Sequence, residues 1–87
     1  MAQTSPTVEE IGERVKVLAS FAPEKLIVHF FSWRGRTYKV DSMNLFHVER
    51  DADRQIYNFA VSAGGNTYQL TFDPVSLDWQ LKDILAG

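Results

Sequence analysis

The chain contains no cysteine, which excludes a disulfide framework and a thiolate zinc site and leaves packing, or a partner, to hold the fold together. Its two histidines, His29 and His47, lack the close spacing of a metal pair, so neither a metal nor another cofactor is expected. No apolar run spans a bilayer, because the longest is interrupted by His29 and Ser32. The opening Met1-Ala2-Gln3-Thr4-Ser5-Pro6 has neither the basic nor the apolar region of a secretory leader, and a soluble, cytoplasmic protein without membrane contact is expected. Basic charge is not in excess: nine Lys and Arg stand against eleven Asp and Glu, for a net charge of −2. A surface devoted to neutralising phosphates is therefore not expected. No serine or threonine sits in a nucleophile elbow, and Gly64-Gly65 is not followed by the Lys-Ser/Thr of a phosphate loop. The acids are expected mostly in turns or on the surface of an N-terminal helix, where nothing raises their pKa, and no enzymatic activity is expected.

What is present is β-chemistry. Eighty-seven residues form one domain over 1–87, small enough that folding buries only a little over ~60% of the unfolded surface. Residues 1–6 read as a flexible tail. From Thr7 the apolar residues Val8, Ile11, Val15, Leu18 and Ala22 recur at spacings of three and four, which predicts a helix over 7–21 ended by Pro23. An antiparallel meander of five strands is expected over 26–82, then a short tail over 83–87. The fold class predicted is α+β, with the helix covering a strongly curled sheet in a helix-grip-like layout; closure of the sheet into a small SH3-like barrel is the alternative.

The turns set the expected registers. Trp33 and Arg34 in a type I turn followed by a left-handed Gly35 place Phe30 opposite Tyr38 and Val28 opposite Val40. This geometry is preferred because a two-residue turn needs Arg34 at positive φ. A bulge or bend is expected in the polar stretch from Asp41 to Asn44. A primed turn at Gly64-Gly65 sets Val61 against Tyr68, Phe59 against Leu70 and Tyr57 against Phe72. Asp73-Pro74-Val75-Ser76 as a type I turn pairs Phe72 with Leu77, Leu70 with Trp79 and Tyr68 with Leu81.

Two sets of residues are left over. Ile27, Phe31, Met43 and Leu45 fall behind the first hairpin in this register and form an apolar patch that a small monomer does not leave wet. They are the candidate partner-binding surface, with a homodimer as the expected assembly and a foreign protein as another partner. Trp33, Arg34, Arg36 and Lys39 put an indole and three cations at a hairpin tip, a platform on which a base can stack while the cations hold phosphate.

The segment Trp33-x-Gly35-x-x-Tyr38-x-Val40, with Phe59-x-Val61, Tyr68-x-Leu70-x-Phe72-Asp73 and Trp79-x-Leu81, resembles a pattern of small uncharacterised bacterial proteins. The resemblance spans Trp33 to Leu81, implies a bacterial, soluble β domain, and carries over no catalytic residue or cofactor. Taken together, the residues predict a non-enzymatic interaction module that self-associates through the apolar patch. A single-stranded nucleic-acid-associated protein and a small apolar-ligand carrier are the alternatives.

Overall fold

The computed structural model describes residues 7–86; the predicted tail over 1–6 lies outside them. The described chain is all β. In order the strands are β1 (Thr7–Arg14), β2 (Lys16–Ala22), β3 (Lys25–Trp33), β4 (Arg36–Lys39), β5 (Ser42–Asp51), β6 (Arg54–Ala63), β7 (Asn66–Asp73) and β8 (Asp78–Ala86). They form two antiparallel sheets: five strands in the order β1-β8-β7-β6-β5, and three in the order β2-β3-β4.

The helix predicted over 7–21 is therefore replaced by β1 and β2, and the α+β class by all-β. Two features of the segment oppose a helix. Gly12 has φ +67° and sits in a bulge, where Glu10 pairs with Asp83 but Glu13 pairs with Leu81. The helical stripe also does not match burial, since Val8 is 55% and Leu18 61% exposed. The residues that pack on the core are Ile11, Val15 and Val17, the last two at the period of a strand. Pro23 does not stop a helix; with Glu24 at φ +63° it forms the two-residue turn between Ala22 and Lys25.

The five-stranded meander, with its strong curl or closure, is likewise corrected, because the chain changes sheet twice. Val15 donates its N–H to Trp79 O at 3.1 Å in the larger sheet, whereas Lys16 already pairs with Ser32 in the smaller one. At the second corner Val40 donates to His29 O at 2.9 Å and Asp41 to Ser62 O at 2.7 Å. The irregularity expected between Asp41 and Asn44 is this corner, with a register shift between Met43 and Leu45. Such corners let two short sheets face one core. Its fully buried side chains are Phe31, Phe59, Val61, Leu70 and Leu81.

Register is where turn chemistry succeeded and failed. Gly64 and Gly65 have φ +57° and +88°, and Val61–Tyr68, Phe59–Leu70 and Tyr57–Phe72 pair as predicted. In the first hairpin the two-residue turn prevails: Arg34 has φ +51°, Gly35 +77°, and Phe31 pairs with Tyr38 and Phe30 with Lys39. The cost of Arg34's conformation, about 1 kcal/mol, is set against contacts that only the fold supplies. Its guanidinium lies 4.6 Å over the Trp33 ring and 2.7 Å from the Glu13 carboxylate.

Consequently Phe31 is the core residue (1% exposed) and Phe30 faces out (37%). Val28 stays buried as well, because the shift between Leu18 and Ala19 leaves His29 as an extra residue and reverses the alternation. At the last turn Leu77 takes φ +63°, and Asp73 Oδ1 accepts the N–H groups of Val75 (2.9 Å) and Ser76 (3.3 Å). Phe72 then pairs with Trp79 and Leu70 with Leu81. The slip is two residues, so Trp79 and Leu81 keep their predicted face while Leu77 leaves the sheet. Beyond Leu81, β8 continues as strand to Ala86 where a tail was expected, pairing on both sides with β7 and β1.

Candidate functional site: an apolar cleft between the sheets

Direct partners in an antiparallel ladder share a face, so Phe46, Phe59, Leu70 and Leu81 form one inward row and Val48, Tyr57, Phe72 and Trp79 the next. The first row is sealed at its centre, with Phe59, Leu70 and Leu81 at most 1% exposed. Toward β5 the seal is lost: Phe46 is 47% and Val48 41% exposed. The facing hairpin of β2 and β3 approaches here with Phe21 and Leu26 but does not close the gap. The result is a cleft of about 630 Å³.

Its floor is aromatic. The Phe72 ring lies tilted 4.6 Å from Trp79, 6.1 Å from Tyr57 and 6.0 Å from Phe21. Phe46 meets Tyr57 edge-on at 5.7 Å and Phe59 at 5.0 Å. Leu77, turned out of the sheet by its left-handed backbone, and Pro74 complete one rim. Among the described residues, Glu24 and Lys25, both exposed, are the charged residues of the lining. A second hollow of about 430 Å³ shares Glu24, Lys25, Leu26 and Phe46 with the first and extends between β3 and the start of β5. Along it β3 has lost its β4 partner. The backbone N–H of Val28 donates instead to Met43 Sδ at 3.4 Å, a weak acceptor.

The four residues of the predicted apolar patch do not share a surface. Phe31 is in the core, stacked on Tyr38 at 4.9 Å. Leu45 is 54% exposed and pairs with Ala60 on the opposite face of the larger sheet. Ile27 and Met43 are half-buried and both line the smaller hollow.

The hairpin tip is also rearranged. Trp33 Nε1 donates to Glu13 Oε1 at 2.9 Å, and Arg34 donates to both oxygens of the same carboxylate at 3.3 and 2.7 Å. These donors hold the Glu13 carboxyl below the usual carboxylate range. The indole and one cation of the predicted platform are thus engaged with β1, while Arg36 and Lys39 are exposed.

Sequence reasoning missed Phe21, which the helical reading hid, and did not assign Phe46 and Val48 a role. Reading Val15, Val17, Ala19 and Phe21 at period two, as a strand, would have found the first. Among the described residues no three His, Asp or Glu side chains cluster as metal ligands, and no helix is long and apolar enough to cross a membrane. What the cleft can do chemically is remove an apolar group from water. The chain matches no family model, no curated protein and no solved structure, and the geometry alone carries the functional reading.

Proposed function

We propose that this protein is a non-enzymatic binding module that takes a small apolar or amphipathic molecule into the cleft between its sheets. The supporting observation is the graded aromatic lining, from Phe72 at 4% exposure to Phe21 at 66%, around a volume of about 630 Å³. Small-molecule sites are typically apolar hollows of roughly 300–1,000 Å³ with few polar groups. Each apolar Å² that a ligand removes from water contributes about 25 cal/mol. Lys25 at the mouth suits a ligand with an anionic head, and the other charge in the described lining, Glu24, is its chain neighbour.

Titration with an apolar fluorescent probe, anilinonaphthalene sulfonate or a dansylated fatty acid, tests this reading through two variants of one strand. Val48→Glu places a carboxylate in the rim and is expected to abolish probe binding. Leu45→Glu, on the opposite face and similarly exposed, is expected to retain it. Equal binding by the two variants, or none by the wild type, refutes the proposal.

Charge segregation favours a second reading. Residues 16–39 carry Lys16, Lys25, Arg34, Arg36 and Lys39 against the single acid Glu24, and on the outward face of the smaller sheet Phe30 pairs with Lys39 and Leu18. A single-stranded nucleic acid stacked on Phe30 would bind with steep salt dependence. Lys39→Glu would then abolish oligonucleotide binding without affecting the cleft.

A further inference from the structure

We propose that the free margin of β5 pairs with β5 of a second copy of this chain, antiparallel about a two-fold axis through Val48, joining two five-stranded sheets into one. The proposal goes beyond ligand uptake and does not depend on it. β5 is ten residues long and, among the described residues, stands at the margin of its sheet with β6 as its one ladder partner. All of its residues except Met43 are exposed, including Leu45, Phe46 and Val48. A long apolar edge of this kind is a template for strand addition unless something guards it.

The guards present are His47, Glu49, Arg50 and Asp51, and their order selects the occupant. With Val48 opposite its own copy, His47 faces Glu49 of the partner subunit on the outer face, Phe46 faces Arg50 of the partner subunit on the inner face, and at the end of the ladder Leu45 faces Asp51 of the partner subunit. The first sets an imidazole against a carboxylate, twice by symmetry, and extends the contact that each chain already makes between its own His47 Nε2 and Glu49 Oε1 at 3.2 Å. The second sets a guanidinium beside an aromatic ring. Moving the axis by one residue destroys the match. Centred on Glu49, two carboxylates meet; centred on His47, two imidazoles meet and Phe46 no longer faces Arg50 of the partner subunit. Charges that repel an arbitrary strand are thus complementary to the strand itself, the arrangement expected of a closed two-fold interface. The ladder also lies along the open side of the cleft, since Phe46 and Val48 belong to both.

The absence of cysteine permits a direct test by cross-linking. In the proposed register the two Val48 Cα atoms are roughly 5 Å apart, within disulfide reach. Two Arg50 positions are offset by four residues, roughly 13 Å, beyond it. Val48→Cys is expected to oxidise to a covalent dimer, and Arg50→Cys is expected to remain reduced. In sedimentation the wild type is expected to move from monomer to dimer mass as concentration rises and to stop there.

Glu49→Lys, at a half-exposed side chain, is expected to give a folded monomer, and His47→Glu added to it restores the cross-strand pair and the dimer. A wild type that stays monomeric, or one that grows beyond a dimer, overturns the proposal. So does a Glu49→Lys variant that still dimerises, or equal cross-linking at both cysteine positions. Probe binding by the monomeric Glu49→Lys variant keeps this outcome separate from the fate of the cleft reading.

Discussion

Phe30 and Phe31 are adjacent, chemically identical and in the same strand, and truncating each to alanine reads out which face of β3 is core. Phe31 is 1% exposed, stacked on Tyr38 at 4.9 Å with an interplanar angle of 10°, and meets Tyr68 edge-on at 5.0 Å. Removing a buried phenyl ring costs about 3–5 kcal/mol, the cavity included. Phe30 is 37% exposed, with Leu18 and Lys39 beside it, and its truncation is expected to cost about 1 kcal/mol. Both variants lose the same strand preference of phenylalanine, so the difference between them isolates burial.

A domain of 87 residues is stable by roughly 4–13 kcal/mol. Phe31→Ala therefore removes a large share of the total, and its melting temperature should fall by roughly 15–30 °C, against roughly 4–8 °C for Phe30→Ala. Urea denaturation followed by far-ultraviolet circular dichroism measures both, with the slope of the transition checking that the unfolded state is unchanged. A Phe30→Ala loss equal to or larger than that of Phe31→Ala would refute the two-residue turn at Arg34-Gly35 and restore the three-residue alternative.

Three further outcomes are expected. Gly65 has φ +88° in a tight turn, and Gly65→Val should cost about 1–2 kcal/mol in the same denaturation assay; unchanged stability would remove the reason for the β6–β7 register. Ala52 holds φ +55° between Asp51 and Arg54, so Ala52→Gly should raise the melting temperature by a few degrees through relief of strain of about 1 kcal/mol. Arg34 and the Trp33 indole N–H lower the pKa of Glu13, and Arg54 together with the Val75 N–H lowers that of Asp73. Because the folded values lie below the unfolded ones, this stabilisation is fully present above about pH 5 and is lost as pH falls through the folded values. The Glu13→Gln, Asp73→Asn double variant should show a flatter fall in denaturation midpoint between pH 5 and pH 2 than the wild type.

Local chemistry was legible wherever one turn geometry was much cheaper than its rivals. Two glycines in succession made the β6–β7 turn nearly unconditional, and its three apolar pairs followed from the chain alone. The inward rows built on Phe59, Leu70 and Leu81 were legible for the same reason, since even the two-residue slip at Leu77 preserves alternation. Cysteine content and net charge are likewise properties of the chain itself. At Arg34, by contrast, the local preference was about 1 kcal/mol, small enough for Trp33 and Glu13 to reverse it. Glu13 is twenty-one residues away from Arg34, and no window on the hairpin contains it.

The N-terminal segment was undecided locally too, because Val8, Ile11, Val15 and Leu18 satisfy a helical period while Val15, Val17 and Phe21 satisfy a strand's. What resolved it was the presence of β8 and β3 with unpaired edges for β1 and β2 to join. Once the segment became strand, Phe21 reached the rim beside Phe72, and the cleft acquired its second wall. Sequence by itself determined which residues alternate and which turns are tight. Tertiary structure alone decided which sheet each strand joins and therefore which apolar side chains stay wet, because backbone pairing between distant segments outweighs preferences of a kcal/mol or less.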